Sequence, residues 1–168
     1  MTTTFKFEHH FKGISRAHFE AHLNDPKLNQ LLEEQLAFDE RRLVDSTKKK
    51  DQSITWHFHV SASGDFPKPI KSILKADKLS WDEISTFKPE EHCVYWEITP
   101  HVKTFKFKGQ GVWRFIDEPT GCRRIMEGSV SVAIPLVGKL AESFIIGELT
   151  KNYEIEPEIL RAYLQSVL

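Results

Sequence analysis

The feature that most constrains this chain is its last third, where the spacing of apolar residues changes from two to about 3.6 within a few positions. Residues 123–136 alternate between apolar and polar side chains, as a half-buried antiparallel strand does. After Gly138 the apolar residues recur at helical spacing to the end of the chain, with a kink or a restart predicted at Pro157. Because an isolated helix of this length is marginal in water, we expect it to dock on a sheet formed by the upstream chain. The strand residues expected to face that helix are Met126, Val130, Val132, Ile134 and Leu136.

The chain before this junction predicts six strands and two short helices. Residues 4–12 alternate as a first strand, Ser15 is a suitable N-cap for one helix, and Asp25 before Pro26 suits the start of a second. Further strands are predicted at 38–47, 53–62, 79–87, 93–99 and 104–116, with a helical turn at 70–74. Consecutive strands joined by short turns form an antiparallel meander. The order therefore predicts an α+β fold in which a curved sheet of about seven strands and the C-terminal helix enclose a hollow.

Composition limits the function in several ways. A length of 168 residues predicts a single domain spanning 1–168, and the net charge of −1 gives no general attraction to nucleic acid. No apolar run approaches the roughly 18 residues of a membrane span, and the first residues do not have the pattern of a secretory signal. Cys93 and Cys122 are too few and too isolated for a disulfide framework or a zinc site. We therefore expect a cytoplasmic protein with no nucleic-acid partner and no transmembrane segment; its oligomeric state is not indicated.

The order of elements resembles the helix-grip fold of the START-like, or SRPBCC, superfamily, which is also described as Bet v 1-like. The segment SVSVAIPLVGKLAES is the most specific part, because it looks like the last-strand-to-helix junction of an uncharacterised bacterial branch of that superfamily. Residues 15–32 and 66–74 also fit that branch, as paired helices and as a short insertion before the fourth strand. The resemblance implies a cavity, usually apolar, between sheet and long helix. It implies no catalytic residue, because the branch has no catalytic motif to carry over.

Aromatic residues are expected to line this hollow. The candidate ligand-binding residues are Phe7, His9, Phe58, Trp96, Phe107, Trp113 and Phe144. Such side chains suit a pocket for an apolar or planar ligand, but they equally suit a core that fills its own space. His9 is the polar member of the set and the best candidate for an acid–base group, although a buried histidine more often just donates to a backbone carbonyl.

Two further groups of polar residues have open interpretations. His57 and His59 project from one face of a strand, as metal ligands would, with His10, His92 and His101 as unplaced third ligands. Since zinc sites use three or four protein ligands, a solvated histidine pair is the favoured interpretation, and no metal or cofactor is predicted. The other group, expected on the outer face rather than at a polar end of the hollow, comprises Glu83, Tyr95, Glu97 and Arg114.

The sequence thus predicts a soluble protein that binds a small hydrophobic ligand, lipid-like or aromatic, between sheet and helix. Two alternatives stay open: an enzyme of the cyclase or hydrolase kind using the same hollow, and a protein-interaction module with a closed cavity. No nucleophile elbow and no phosphate-binding loop supports an enzyme, since G-x-S-x-G, G-x-G-x-x-G and G-x-x-x-x-G-K are all absent from the sequence.

Overall fold

The computed structural model describes residues 2–36, 38–75 and 77–168, which form an antiparallel sheet covered on one face by helices. The seven strands are β1 (Thr3–Lys12), β2 (Glu40–Lys48), β3 (Ile54–Ser63), β4 (Lys78–Lys88), β5 (Cys93–Pro100), β6 (Lys106–Glu118) and β7 (Gly121–Ala133). The helices are α1 (Arg16–Ala21), α2 (Pro26–Gln35), α3 (Lys68–Leu74) and α4 (Gly138–Ser166), with a 3₁₀ turn at Pro89–Glu91. This is the predicted α+β helix-grip architecture, and most strand ends lie within two residues of their predicted positions.

The strands lie in the order β1-β7-β6-β5-β4-β3-β2, and every neighbouring pair is antiparallel. Strands β2 to β7 are therefore a meander, as predicted. The first strand is the exception, because β1 pairs with β7 while its successor β2 lies at the opposite edge. Helices α1 and α2 lie between β1 and β2 in the chain, so they carry the chain from one edge of the sheet to the other.

The two short helices begin where the sequence predicted, but only one is capped as expected. The hydroxyl of Ser15 accepts a hydrogen bond from the backbone N–H of His18. Asp25 occupies the N-cap position of α2 without a side-chain capping bond. Its carboxylate accepts instead from the Tyr163 hydroxyl at 2.9 Å, so Asp25 joins α2 to α4.

The junction between β7 and α4 is built around a close backbone contact. A Cβ atom at Gly138 would lie 2.4 Å from the carbonyl oxygen of Val132, so only glycine fits where the helix begins. One turn later the buried carboxylate of Glu142 accepts the backbone N–H of Val132 at 3.0 Å. Leu136 was predicted to face inward, but its side chain is fully exposed and its backbone has a φ of 68°. The strand ends at Ala133, so the alternation of inward and outward side chains no longer applies at Leu136.

Helix α4 is one helix of 29 residues that contains Pro157 in its interior, so of the predicted kink or restart at this proline the restart is excluded. It packs mainly on β7, β1 and α2. The buried side chains of its C-terminal part include Ile159, Leu160, Tyr163 and Leu164, as the apolar stripe predicted.

Among the described residues, most of the buried apolar side chains fall into two clusters. The first is built around Phe11, Phe19, Phe58 and Leu160, and the second around Ile70, Val130, Val132 and Ala141. Among the described residues, no helix is both long and apolar enough to cross a membrane.

Candidate functional site

A cavity of about 330 Å³ lies between the sheet and the helices and is lined by members of both core clusters. This volume is at the small end of the range of ligand pockets in proteins, about 300–1,000 Å³. The apolar part of its wall includes Phe19, Leu28, Phe66, Ile70, Val94, Trp96, Ile98, Phe107, Trp113, Val130, Val132, Ala141, Phe144, Ile145 and Leu160. Helices α1 to α4 all contribute, so the wall depends on the whole fold.

The structure brings four of the seven candidate ligand-binding residues to this wall: Trp96, Phe107, Trp113 and Phe144. The other three lie on the same side of the sheet but away from the wall. Phe58 is buried beneath the guanidinium of Arg41, whose central carbon lies 3.9 Å from the ring centre. Phe7 packs against Tyr153 of α4, with ring centres 4.9 Å apart.

A buried ion pair forms one polar part of the wall. Arg124 of β7 donates two parallel hydrogen bonds to Glu156 of α4, Nη1 to Oε1 at 3.0 Å and Nη2 to Oε2 at 2.5 Å. Both residues are buried and line the cavity. Nη2 also lies 3.2 Å from Nδ1 of His9, and the guanidinium lies 5.6 Å from the Trp113 ring. Bidentate geometry of this kind fixes orientation as well as charge, so the pair holds α4 in register with β7.

His9 has a structural partner that explains its position. Pro157 has no backbone N–H, so the carbonyl four residues earlier, that of Tyr153, receives no helical hydrogen bond. The His9 imidazole hydrogen-bonds to the backbone of Tyr153, and this bond raises the pKa of His9. Burial lowers the pKa of His9, the Arg124 guanidinium lowers it further, and these effects exceed the opposing contributions. A neutral imidazole therefore fits the site: Nδ1 accepts from Arg124, which leaves the proton on Nε2.

A second polar group joins α2, β2 and β4. Arg41 donates from Nη1 to Oδ1 of Asn29 at 2.8 Å, and its Nη2 lies 3.9 Å from Oε1 of Glu83. All three residues line the cavity. The distance of 3.9 Å is too long for a hydrogen bond, so the Arg41–Glu83 pair is looser than the Arg124–Glu156 pair. Glu83 was predicted on the outer face; it lies inward because its position is in phase with Ser85 and Phe87, both of which are buried.

Three tryptophans of the wall carry indole N–H groups without a protein acceptor. The Nε1 atoms of Trp81, Trp96 and Trp113 are buried, and none of them makes a hydrogen bond to any residue that the structure describes. Buried indole N–H groups usually have a partner, since an unpaired donor costs about 1–3 kcal/mol. The three indole N–H groups are therefore unpaired donors buried among the residues of the wall.

Trp96 is positioned by two glycines that face each other across β6 and β7. Gly111 and Gly128 are paired in register, and a Cβ atom at either would lie within 2.7 Å of the Trp96 ring. On the next strand, Phe5 is opposite Gly128 and stacks on Trp96, with ring centres 6.0 Å apart. These two glycines thus provide space for the indole of Trp96.

The outer face carries the remaining candidates. Tyr95 is 40% exposed, as predicted, and Arg114 pairs with Glu127 across the outer surface at 2.8 Å. His57 and His59 are half-exposed on this face. Two of the unplaced histidines are elsewhere: His10 pairs with Glu118 and His92 pairs with Glu20.

The charged residues of the cavity were not among the predicted ligand-binding residues, although the sequence carries a signal for some of them. Arg124 is in phase with Met126 and Val130 on the apolar face of β7, so strict alternation predicts that it points inward. Glu156 gives no such signal, because its burial depends on how α4 is rotated against the sheet. A charged residue in phase with an apolar face indicates a buried partner, but the sequence does not identify that partner.

The chain was compared with protein families and with curated proteins. Residues 6–164 match the family model described as protein of unknown function (DUF2505). No curated protein matches the chain by sequence.

Several crystal structures share the fold along nearly the whole chain. TTHA0849 from Thermus thermophilus is 14% identical, with 99% of each chain covered and a TM-score of 0.66. Zhui aromatase/cyclase from Streptomyces sp. R1128 is 5% identical, with 98% of this chain and 94% of that chain covered and a TM-score of 0.69. A START superfamily protein from Mycobacterium smegmatis is 11% identical, with 99% of each chain covered and a TM-score of 0.56.

Proposed function

This chain belongs to the DUF2505 family and has the START-like helix-grip fold, and from that premise we propose that it binds a small hydrophobic ligand between the sheet and α4. One observation carries the proposal: a cavity of about 330 Å³ whose wall is mostly apolar and aromatic but contains a few buried polar groups. This combination is typical of small-molecule sites, where apolar area contributes affinity and polar groups fix orientation. We treat residues 1–168 as one binding domain, since the wall draws on α1 to α4 and on the sheet.

The donors on the wall define the ligand more closely. The Arg41 guanidinium, which carries several N–H donors, lines the cavity and can donate to an oxygen of a bound molecule. The ligand class that fits is therefore a planar or lipid-like molecule carrying oxygen acceptors such as carbonyl, hydroxyl or carboxylate groups. Arg41 is the better placed of the two cavity arginines for this role, because Arg124 is already bidentate to Glu156 while Arg41 is loosely paired.

The geometry gives less support to the two alternative functions. An acid–base role for His9 requires its imidazole to meet a substrate, but His9 lies off the cavity wall and hydrogen-bonds to Arg124 and to the backbone of Tyr153. A pure interaction module would be expected to fill its hollow with side chains. The similar structures include an enzyme, an aromatase/cyclase, but at 5% identity that likeness concerns the fold alone.

The first experiment is native mass spectrometry of the protein as purified from its host, followed by solvent extraction. We expect a bound molecule of low mass whose release into solvent identifies its class. In parallel, the apo protein is titrated with N-phenyl-1-naphthylamine, a neutral probe whose fluorescence rises in apolar sites. Saturable binding of one probe per chain is the expected result.

A pair of alanine variants locates the bound probe. Ala141 lies on the cavity wall and Ala133 is exposed at the end of β7, so Ala141→Phe fills the cavity while Ala133→Phe makes the same change outside it. Probe binding is expected to be lost in the first variant and kept in the second, with circular dichroism showing that both are folded. A clean apo mass together with no probe response in the wild-type protein would overturn the proposal. Equal probe binding by both variants would place the probe outside the cavity and would also contradict it.

A further inference from the structure

Three histidines and an aspartate meet on the outer face of the sheet, on the side opposite the cavity. His57 and His59 belong to β3, Asp82 belongs to β4, and His101 directly follows β5. His59 is directly opposite Asp82 in the strand register. Three consecutive strands therefore bring together residues that are up to 44 positions apart in sequence (101 minus 57).

The distances from the Asp82 carboxylate to the three imidazoles match the spacing of neighbouring ligands around a single metal ion. His57 Nε2 and His59 Nδ1 lie 3.3 Å and 3.6 Å from Oδ1 of Asp82, and His101 Nε2 lies 3.1 Å from Oδ2. In a tetrahedral zinc site with bonds of about 2.0–2.1 Å, neighbouring ligand atoms are about 3.3 Å apart. The donor atoms of His59, Asp82 and His101 all lie within 4.8 Å of one another, so small rotations of half-exposed side chains close them around one ion.

The His101 imidazole is held in an orientation that suits coordination. Nδ1 of His101 lies 2.9 Å from the Ser80 hydroxyl, which leaves Nε2 facing Asp82. The backbone N–H of His101 donates to the Ser80 carbonyl at 3.0 Å, so the residue is fixed although it follows the strand. The rings of His59 and His101 are stacked, with ring centres 5.0 Å apart and an interplanar angle of 15°, so these rings must rotate before a nitrogen of each points at one ion. A histidine that binds a metal through one nitrogen usually has its other nitrogen held by such a partner.

His57 is the fourth candidate ligand. Its Nε2 atom is buried and makes no well-aligned hydrogen bond to any described residue, although it lies 3.3 Å from the Asp82 carboxylate. Metal coordination would satisfy this nitrogen. Elsewhere on the surface, His10 lies near the carboxylates of Glu118 and Glu8, and His92 lies near that of Glu20. Each of these groups contains a single imidazole and is an ordinary ion pair.

We propose that His57, His59, Asp82 and His101 form a zinc site that joins β3, β4 and the end of β5. Three imidazoles and one carboxylate are a donor set that zinc accepts with tetrahedral geometry, whereas magnesium and calcium prefer all-oxygen sites. Four protein ligands fill a tetrahedral shell, so the site is structural: the ion stabilises the fold by cross-linking three strands. The proposal is independent of the ligand proposed for the cavity, because the four side chains lie on the other face of the sheet.

The test uses the full chain without a histidine tag, stripped with a chelator and titrated with zinc chloride alone. Isothermal titration calorimetry and native mass spectrometry should show one zinc ion per chain, and the melting temperature should rise on binding. Cobalt(II) is a second probe, and the intense visible absorption of tetrahedral cobalt is expected. Octahedral cobalt spectra, or no zinc binding at all, would overturn the proposed site.

Variants assign the ligands and separate the site from adventitious binding. His59→Ala and Asp82→Asn should each weaken zinc binding by more than the roughly 10- to 100-fold typical of losing an outer partner, and Ser80→Ala should fall within that range. His10→Ala and His92→Ala are the matched controls and should bind zinc as the wild type does. If His59→Ala and Asp82→Asn, folded by circular dichroism, retain full affinity while a control loses it, zinc binds elsewhere and the assignment is wrong.

Discussion

The guanidinium of Arg124 and the carboxylate of Glu156 form a bidentate ion pair that joins the last strand to the long helix inside the cavity wall. The Arg124 side chain is only 1% exposed and that of Glu156 only 9%. Two charges taken this far out of water are tolerated because each neutralises the other, and His9 adds a further contact to the guanidinium.

This pair gives a first prediction about stability. Replacing one partner leaves a buried charge unpaired, so Glu156→Leu and Arg124→Met should each lower the free energy of unfolding by about 3–5 kcal/mol. The double variant, which has no buried charge, should recover most of that loss. The measurement is a double-mutant cycle by urea unfolding with circular dichroism. Additive losses in the double variant would show that the two groups are not coupled.

The second prediction concerns the glycines beneath Trp96. A Cβ atom at Gly111 would lie 2.2 Å from the backbone oxygen of Glu127 and 2.5 Å from the Trp96 ring, and the backbone atom cannot move aside cheaply. Gly111→Ala should therefore destabilise the protein by at least the roughly 1–3 kcal/mol typical of overpacking, and Gly111→Val by more.

Gly147 is the matched control for this change. It is exposed in the middle of α4 and a Cβ atom there would meet nothing within 4 Å. Since alanine is a better helix former than glycine, Gly147→Ala should stabilise the protein by about 0.5–1 kcal/mol. Opposite shifts of the urea midpoint in these two variants are expected. If Gly111→Ala were as stable as wild type, the Trp96 ring would not be packed closely against Gly111.

The sequence predicted the fold well because each element carries a local signal. Alternation marks the strands, and the Pro-Leu-Val-Gly turn marks the junction where Gly138 meets the Val132 carbonyl. The cavity was less predictable, because its shape depends on how α4 is set against the sheet, and no local pattern encodes that. The position of Asp82 on the outer face was also not predictable from a local pattern. Asp82 lies among three histidines because of the strand register, not because of its spacing along the chain.

The third prediction concerns acid stability and rests on Glu142 at the start of α4. Burial alone would raise the pKa of this carboxyl, but hydrogen bonds from the Thr3 hydroxyl, the Val132 N–H and the Lys139 ammonium lower it from 4.5 to about 2. A depressed pKa in the folded state means that the ionised form stabilises the fold. This contribution is complete above the unfolded value near 4.5 and is lost as the pH falls from there to about 2.

We therefore expect the free energy of unfolding to decrease across that pH interval, with Glu142 contributing part of the decrease. Glutamine cannot ionise, so in Glu142→Gln the three donors no longer meet a carboxylate. The variant should therefore have a lower free energy of unfolding than wild type at pH 7. This difference in free energy should shrink as the pH falls towards 2. Urea unfolding at a series of pH values measures both curves. Glu148→Gln is the control, since Glu148 pairs with Lys151 on the surface. A difference that stays constant with pH would show that Glu142 is not the titrating group.

The last prediction separates the polar part of the cavity from its apolar wall. Arg41 is nearly buried and loosely paired with Glu83, whereas its neighbour Arg42 is 60% exposed and pairs with Glu40 at the surface. Arg41→Met keeps most of the side-chain volume but removes the donor, and it leaves Glu83 without that nearby positive charge.

Binding of 8-anilinonaphthalene-1-sulfonate, which carries an anionic oxygen group, should weaken about 10-fold or more, equivalent to about 1.4 kcal/mol. Its neutral analogue N-phenyl-1-naphthylamine should bind Arg41→Met as it binds wild type, and Arg42→Met should leave both affinities unchanged. Equal losses for the two probes in Arg41→Met would indicate a damaged wall, and no loss for either would show that Arg41 does not contact the ligand.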